Sequence, residues 1–294
     1  MSSLADDLKT QKNDLNEFYS LCVRVLNYLP AVISSEVEIR GYKIKTHISG
    51  GTKKFLRPIN EELFIYDPDI FEKKYDLFLQ ILDRVKSNEK IKEDNYKIVD
   101  TVLYTIQQSL GAGFDLLVNP NSARKHVGNR FEELLKAVIN YLEITNKDLV
   151  FKIPYETDGG KKTYRCQTDL IISPYEQVHS TAKNLDENEV ILSFKTSSKD
   201  RMGKIFLDKL LMESFSNQTV KVVGIFLNDV QRKKEDNISY TFVSGLFMVY
   251  TNFLIKLDGV YFIDKPPTAQ NYPYDEHIFQ FSKFLIEDIW KLLK

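Results

Sequence analysis

Apolar residues recur at helical spacing over residues 15–29, at Leu15, Phe18, Leu21, Cys22, Val25 and Leu26, the pattern of a helix buried along one face. Similar patterns run over residues 71–86 and 96–110, and the glycines at 111 and 113 predict a stop for the second. Residues 41–58 alternate apolar and basic positions around a Gly-Gly pair, which suits a hairpin or an ordered loop. After Gly128, a single stripe is formed by Phe131, Leu134, Leu135, Val138, Tyr141 and Leu142. Glu132, Glu133 and Lys136 lie off it.

From Leu149 the texture changes to short runs rich in β-branched and aromatic residues, at 149–155, 164–173, 190–196 and 220–227. Asp158-Gly159-Gly160 joins the first two as a hairpin. A helix over 201–215 separates the last two, which predicts a mixed sheet with a right-handed crossover from the third strand to the fourth. Residues 241–257 read as a buried helix, 259–264 as a strand, 265–274 as a loop and 276–293 as an amphipathic helix. The expected fold class is α/β (α+β), a central mixed β-sheet flanked by helices with a mainly helical N-terminal part. The division falls near residue 121. Residues 1–120 would be a region of recognition or dimerisation elements and 121–294 the α/β core with C-terminal helices, unless the two form one compact domain.

Composition narrows the function classes. The 294 residues are 43% apolar and 28% charged, an ordinary globular balance able to bury a core without staples. With 40 basic against 41 acidic residues, the chain is no generally basic nucleic-acid coat. A locally basic groove remains open, since steering depends on where charges lie. Cys22 and Cys166 form no disulfide framework or zinc cluster, which fits a reducing, cytoplasmic setting. The N-terminal residues carry no apolar signal segment, and no run approaches the ~18 apolar residues of a membrane span.

Candidate chemistry gathers between residues 128 and 208. Strand alternation sends Ser193 and Lys195 to the same face of a strand otherwise built for burial. Asp169 opens the apolar run of the preceding strand, where a carboxylate needs a metal, a cation or several donors. Glu132 lies on the helix leading into the hairpin. Downstream, Ser197, Ser198, Lys199, Asp200 and Arg201 follow the lysine, and Arg201, Lys204 and Asp208 share one face of the next helix. Acids, one lysine and a basic, hydroxyl-rich shoulder are what metal-assisted phosphodiester hydrolysis requires. Its barrier must fall by on the order of 20 kcal/mol, whereas one general base supplies about 10²–10⁴-fold. A divalent ion held by carboxylates can make up the difference, and oxygen ligands select Mg²⁺.

Plainer roles stand beside these. Asp169 can be a structural acid paired with Arg165 or Lys195, Glu132 a helix-dipole residue, and Asp208 the i, i+4 partner of Lys204. Cys166, of opposite parity to Asp169, reads as core. His126, His179, Asp229, Arg232 and the basic set Lys43, Lys45, Lys53, Lys54 and Arg57 are candidate DNA contacts or ordinary surface charges.

The ordered set Gly128-Asn129-Arg130-Phe131-Glu132, Thr168-Asp169-Leu170-Ile171-Ile172 and Ser193-Phe194-Lys195-Thr196-Ser197-Ser198-Lys199-Asp200-Arg201 resembles the PD-(D/E)xK nuclease core of type II restriction endonucleases over about residues 128–227. The resemblance implies a restriction-endonuclease-like core in which Asp169 binds metal, Lys195 is the catalytic lysine and Glu132 completes the site. Thr168 stands in place of the usual proline, and Ser193 in place of a second acid. In Ser-x-Lys enzymes a helix carboxylate restores that acid; Asp208 is the candidate here, with Glu213 as fallback. Ser197, Ser198, Lys199, Arg201 and Lys204 would hold phosphates. The resemblance further implies Mg²⁺, double-stranded DNA, a homodimer and a methyltransferase acting at the same site. A repair, recombination or phage-type nuclease of the same core, or a DNA-binding protein with a decayed core, are the alternatives. Charges clustered at 195–204 predict a basic groove offset by acids elsewhere.

Overall fold

The N-terminal helices begin where side chains cap them. In this computed structural model, which describes residues 2–199 and 201–294, α1 (Leu4–Lys9) is followed by α2 (Leu15–Val32). Asp14 caps α2 by accepting from the Glu17 N–H at 2.9 Å, and the whole expected stripe from Leu15 to Leu26 is buried. Four strands follow, β1 (Ser35–Ile39), β2 (Tyr42–Ser49), β3 (Thr52–Phe55) and β4 (Ile59–Asn60), and β2 pairs antiparallel with the other three. Gly50 and Gly51 turn the β2–β3 hairpin at φ of 55° and 77°, which favours glycine. The N-terminal part therefore carries a sheet as well as helices.

Helix α3 (Pro68–Lys86) matches its pattern, but α4 (Tyr96–Leu117) runs through both glycines expected to end it. Those glycines serve close packing. A Cβ on Gly111 would collide with the Arg57 guanidinium, which Asp115 grips with two bonds of 2.9 Å. Helix α5 (Pro120–Tyr141) likewise starts before Gly128, because Asn119 accepts the Asn121 N–H and Pro120 suits a first helical turn.

The remaining elements are β5 (Asn146–Lys147), β6 (Val150–Thr157), β7 (Gly160–Gln167), β8 (Leu170–Ile172), β9 (Val190–Ser197), α6 (Arg201–Ser216), β10 (Lys221–Asn228), β11 (Val230–Lys233), β12 (Asn237–Tyr240), α7 (Ser244–Phe253), β13 (Gly259–Phe262) and β14 (Ile278–Gln280). A terminal helical segment runs on as α8 (Phe281–Lys283), a π-helical turn at Phe284–Asp288 and α9 (Ile289–Leu292). Six strands form a sheet in the order β14-β13-β10-β9-β8-β5. It is mixed, as expected: β5, β8 and β9 pair antiparallel, and β10, β13 and β14 parallel.

Three expectations are corrected. The 149–155 and 164–167 strands do not join this sheet but form a separate two-stranded ribbon, and the expected strand 164–173 breaks at Thr168–Asp169. The expected terminal helix begins with an edge strand, β14, too short for a periodicity to reveal. The apolar run at 241–257 is a shorter helix, α7, with only Phe247 and Thr251 buried.

The chain divides into two compact units, one containing the residues up to Leu142 with Leu227–Thr241, the other Glu143–Phe226 with Phe242–Lys294. By its contacts α5 belongs to the first. Val230 and Ile238 tie the inserted segment into the first unit by packing with Tyr42 and Ile44. The second unit is built on Phe151, Ile171, Ile191, Phe206, Phe226 and Phe262, with the Phe226 and Phe262 rings stacked at 4.9 Å. Among the described residues no helix is long and apolar enough to cross a membrane.

Candidate active site

The break between β7 and β8 creates the site. Thr168 donates both its N–H (3.2 Å) and its hydroxyl (2.7 Å) to the Leu149 carbonyl, holding the ribbon's end while the backbone turns toward the central sheet. β8 then pairs with β9 through Leu170–Leu192, Ile171–Ile191 and Ile172–Val190. Continued by one residue, this register sets Asp169 opposite Ser193. At that point the Asp169 carboxylate takes up the ladder, accepting the Phe194 N–H at 2.7 Å. The same oxygen, Oδ2, accepts from the Ser193 hydroxyl at 3.2 Å and from the Lys195 ammonium.

Period two along β9 thus delivers Ser193 and Lys195 to one carboxylate, as the sequence pattern predicts. The Asp169 and Lys195 side chains are only 8% and 16% exposed. The water that so enclosed a carboxylate has lost is replaced by three donors, one of them the Lys195 cation. All three bonds fall on Oδ2, leaving the second oxygen, among the described residues, to accept a further ligand.

Asp208 stands on α6 of the same unit and pairs with Lys204 one turn before it. The Cys166 thiol faces Asp208, and burial together with that carboxylate pushes the thiol up to about 12. Burial works against the Lys204 charge, yet Asp208 outweighs it and raises the lysine above its ordinary value. Both the plain i, i+4 pairing and a defined seat for the Asp208 carboxylate are therefore present. Glu213, the fallback, is occupied elsewhere: it accepts the Val220 N–H at 3.0 Å and lies 3.8 Å from Lys209.

Ser197 is half-buried and Ser198 buried, whereas Lys199 and Arg201 are exposed beside them at the start of α6. Asp200 lies outside the described residues. Glu132 stands half-buried on α5 of the first unit, next to Glu133, which receives Arg130 at 2.7 Å and the Lys12 N–H at 2.9 Å. Among the described residues no three His, Cys, Asp or Glu side chains gather closely enough to hold a metal by themselves. Mg²⁺ typically takes one or two carboxylates and completes its shell with water and substrate phosphate.

The remaining candidate contacts have other partners. Lys43 bonds Glu36 and Glu61, Lys45 lies 3.6 Å from Glu36, Arg57 is held by Asp115, and Lys54 donates to the Leu116 carbonyl at 2.7 Å. Their charge is largely spent inside the first unit. His126 stacks on Phe114 at 5.6 Å, Asp229 is buried, and Arg232 lies over Phe55. His179 stacks on Tyr175 at 4.2 Å, with its backbone N–H bonded to Glu189 at 2.6 Å. Sequence reasoning missed one donor of this cluster, the Phe194 N–H, because backbone donors leave no sequence signal.

No protein-family model matches the chain, and no curated protein does. Among solved structures, the chain is similar to the Type IIP restriction endonuclease Kpn2I, with a TM-score of 0.71 at 17% identity over 95% of this chain and 91% of that one. The restriction endonuclease PspGI, solved as a complex with substrate DNA, aligns with a TM-score of 0.43 at 16% identity over 76% of this chain and 92% of that one. The Kpn2I likeness shows that the chain has the restriction-endonuclease fold.

Proposed function

We propose that the protein is a Mg²⁺-dependent endonuclease of the type II restriction class, hydrolysing both strands of DNA at a short specific sequence. The observation that carries this reading is the convergence of Ser193, Phe194 and Lys195 on the Asp169 carboxylate at the end of β8, in a chain with the restriction-endonuclease fold. Asp169 and Asp208 would hold the ion. Bound there, a divalent ion would supply Lewis acidity toward the phosphoryl oxygen and the attacking water.

The chain's own groups do the rest. Asp169 holds the Lys195 ammonium in place. The Lys195 ammonium orients the attacking water by hydrogen bonding and balances negative charge gathering on the phosphorus oxygens. Water attacks phosphorus, the bond from phosphorus to the 3′ oxygen breaks, and the ends are a 5′-phosphate and a 3′-hydroxyl. Lys199 and Arg201, exposed at the start of α6, bind neighbouring phosphates and fix the register of the strand. A methyltransferase that modifies the same sequence is the functional counterpart this reading calls for.

Digestion of a plasmid of known sequence, with Mg²⁺ and with chelator, tests the reading. Discrete fragments with mappable ends are expected, formed only with the metal and lost in Lys195→Ala. A smear would make the protein an unspecific nuclease of the same fold. Uncut DNA bound equally by wild type and variant would make it a binding protein.

A further inference from the structure

The β6–β7 ribbon stands out from the second unit with most of its length bare. Every residue from Pro154 to Arg165 is exposed. The Lys152 N–H, which donates to the Ala182 carbonyl at 2.7 Å, makes the outermost hydrogen bond from the ribbon to the rest of the unit among the described residues. Two strands by themselves are marginally stable in water, and like charges add to the cost here, since Lys152 and Arg165 are direct cross-strand partners. Residues 152–165 hold four basic against two acidic side chains, in a chain with 40 against 41. The ribbon's ion pair, Glu156 with Lys161, is long at 3.9 Å. Such a strip suits a polyanion, which would relieve the repulsion.

The ribbon's contacts with α6 show where it points. At its base the Phe151 and Phe215 rings meet edge-on at 5.6 Å. Cys166, the cross-strand partner of Phe151, faces Asp208, and Tyr164, two residues nearer the tip, stands close enough to Lys204 to act on its charge. The contacts pass from residue 215 to 208 to 204 as the ribbon runs outward, so it follows α6 back toward the first turn, where Lys199 and Arg201 are exposed. Lys162 lies two residues beyond Tyr164 on the same face, opposite Tyr155. That step is about 7 Å, and Lys204 to Arg201 is about 4.5 Å along the helix, which brings Lys162 level with the start of α6. The dimensions select a groove. Four exposed pairs, from Pro154–Thr163 to Thr157–Gly160, make about 10 Å of ribbon. The major groove of B-DNA, about 12 Å wide and 8.5 Å deep, admits two strands; the minor groove, about 6 Å wide, is too narrow for strands about 4.8 Å apart with their side chains.

We propose that the β6–β7 ribbon enters the major groove and reads the DNA sequence there, with Lys162 donating to base edges and Lys152 and Arg165, farther from the tip, binding the flanking phosphates. The proposal rests on the cleavage reading and adds to it the element that chooses where the chain cuts. A lysine in the major groove finds its acceptors on guanine, at O6 and N7, so the sequence cut contains a G·C pair beneath Lys162. The ribbon ends at Thr168, directly before Asp169, so the reading element and the metal-binding carboxylate are joined through one short, hydrogen-bonded length of backbone.

Plasmid digestion by the wild type maps the sites, and two short duplexes are then compared, one carrying a mapped site and one its scrambled sequence. Binding of each is measured by fluorescence anisotropy in chelator, which keeps recognition apart from cleavage. Lys162→Ala should reduce the preference for the site duplex about 10-fold, leaving affinity for the scrambled duplex, circular dichroism and melting temperature unchanged. Lys162→Arg should restore most of the preference, because arginine donates to the same guanine atoms. Arg165→Ala should weaken both duplexes alike and reduce the logarithmic salt slope by about 1. If Lys162→Ala keeps the wild-type preference, the ribbon does not read the sequence, while discrete plasmid fragments leave the cleavage reading standing. A wild type that smears the plasmid or leaves it uncut overturns the cleavage reading itself, and with no site to read the ribbon's role falls with it.

Discussion

Replacing Asp169 by asparagine preserves the shape of the site and removes its charge. The amide oxygen can still accept the Phe194 N–H, now 2.7 Å from the carboxylate. The Lys195 ammonium, whose side chain is 16% exposed, loses its counter-charge and gains a donor NH₂ as a neighbour. Removing one partner of a fully buried pair costs about 3–5 kcal/mol. Partial exposure of the lysine and the surviving neutral bonds bring this case down to about 2–3 kcal/mol. Lys195→Met is milder, because Asp169 keeps the Ser193 and Phe194 donors and loses one charge-assisted bond, about 1–2 kcal/mol. The double variant should lose less than the sum, with a coupling of about 1–2 kcal/mol. Urea denaturation of all four proteins measures the cycle, and cleavage kinetics on the same samples should show both single variants slowed at least about 10³-fold. Additive stabilities would mean that the pair does not interact as the structure shows. Wild-type cleavage by either variant would remove Asp169 and Lys195 from the active site.

Three further outcomes follow from other parts of the molecule. Lys209 is buried against Asp258 at 2.7 Å, and Asp258 also accepts the Val222 N–H. Lys209→Met should lower stability by about 1–2 kcal/mol through the uncompensated, partly exposed carboxylate, and Lys209→Met with Asp258→Asn should recover part of it in urea denaturation. Burial pushes both Cys22 and Cys166 up to about 12. A thiol-specific disulfide reagent at pH 8 should therefore label neither until the protein is unfolded, and rapid native labelling would contradict their burial. If Lys199 and Arg201 contact phosphates, alanine at either should weaken binding of all DNA sequences alike and reduce the logarithmic salt slope by about 1; an unchanged slope removes that residue from the interface.

The site's central pair was legible because its information is local. The parity of Ser193 and Lys195 follows from strand geometry, and an aspartate opening an apolar run demands partners wherever it is placed. Long helical stripes were equally plain, since α2 and α3 bury the residues their spacing marks. Misreadings came where one residue type serves two purposes. Gly111 and Gly113 look like helix stops but admit Arg57 and Leu8 to the face of α4. The apolar run at 241–257 looks like core, yet its helix buries only Phe247 and Thr251.

The amino-acid sequence by itself determined the fold class, most helices and the strand that carries Ser193 and Lys195, because period, caps and turns act over a few residues. Only the tertiary structure decided where the 164–173 strand breaks, which oxygen of Asp169 gathers its three donors, that Cys166 faces Asp208, and that Asp229 is buried and the basic hairpin engaged inside the protein. Those outcomes depend on contacts between residues distant along the chain. The preferences of single segments are satisfied by several such arrangements, and close packing with every buried charge partnered selects one.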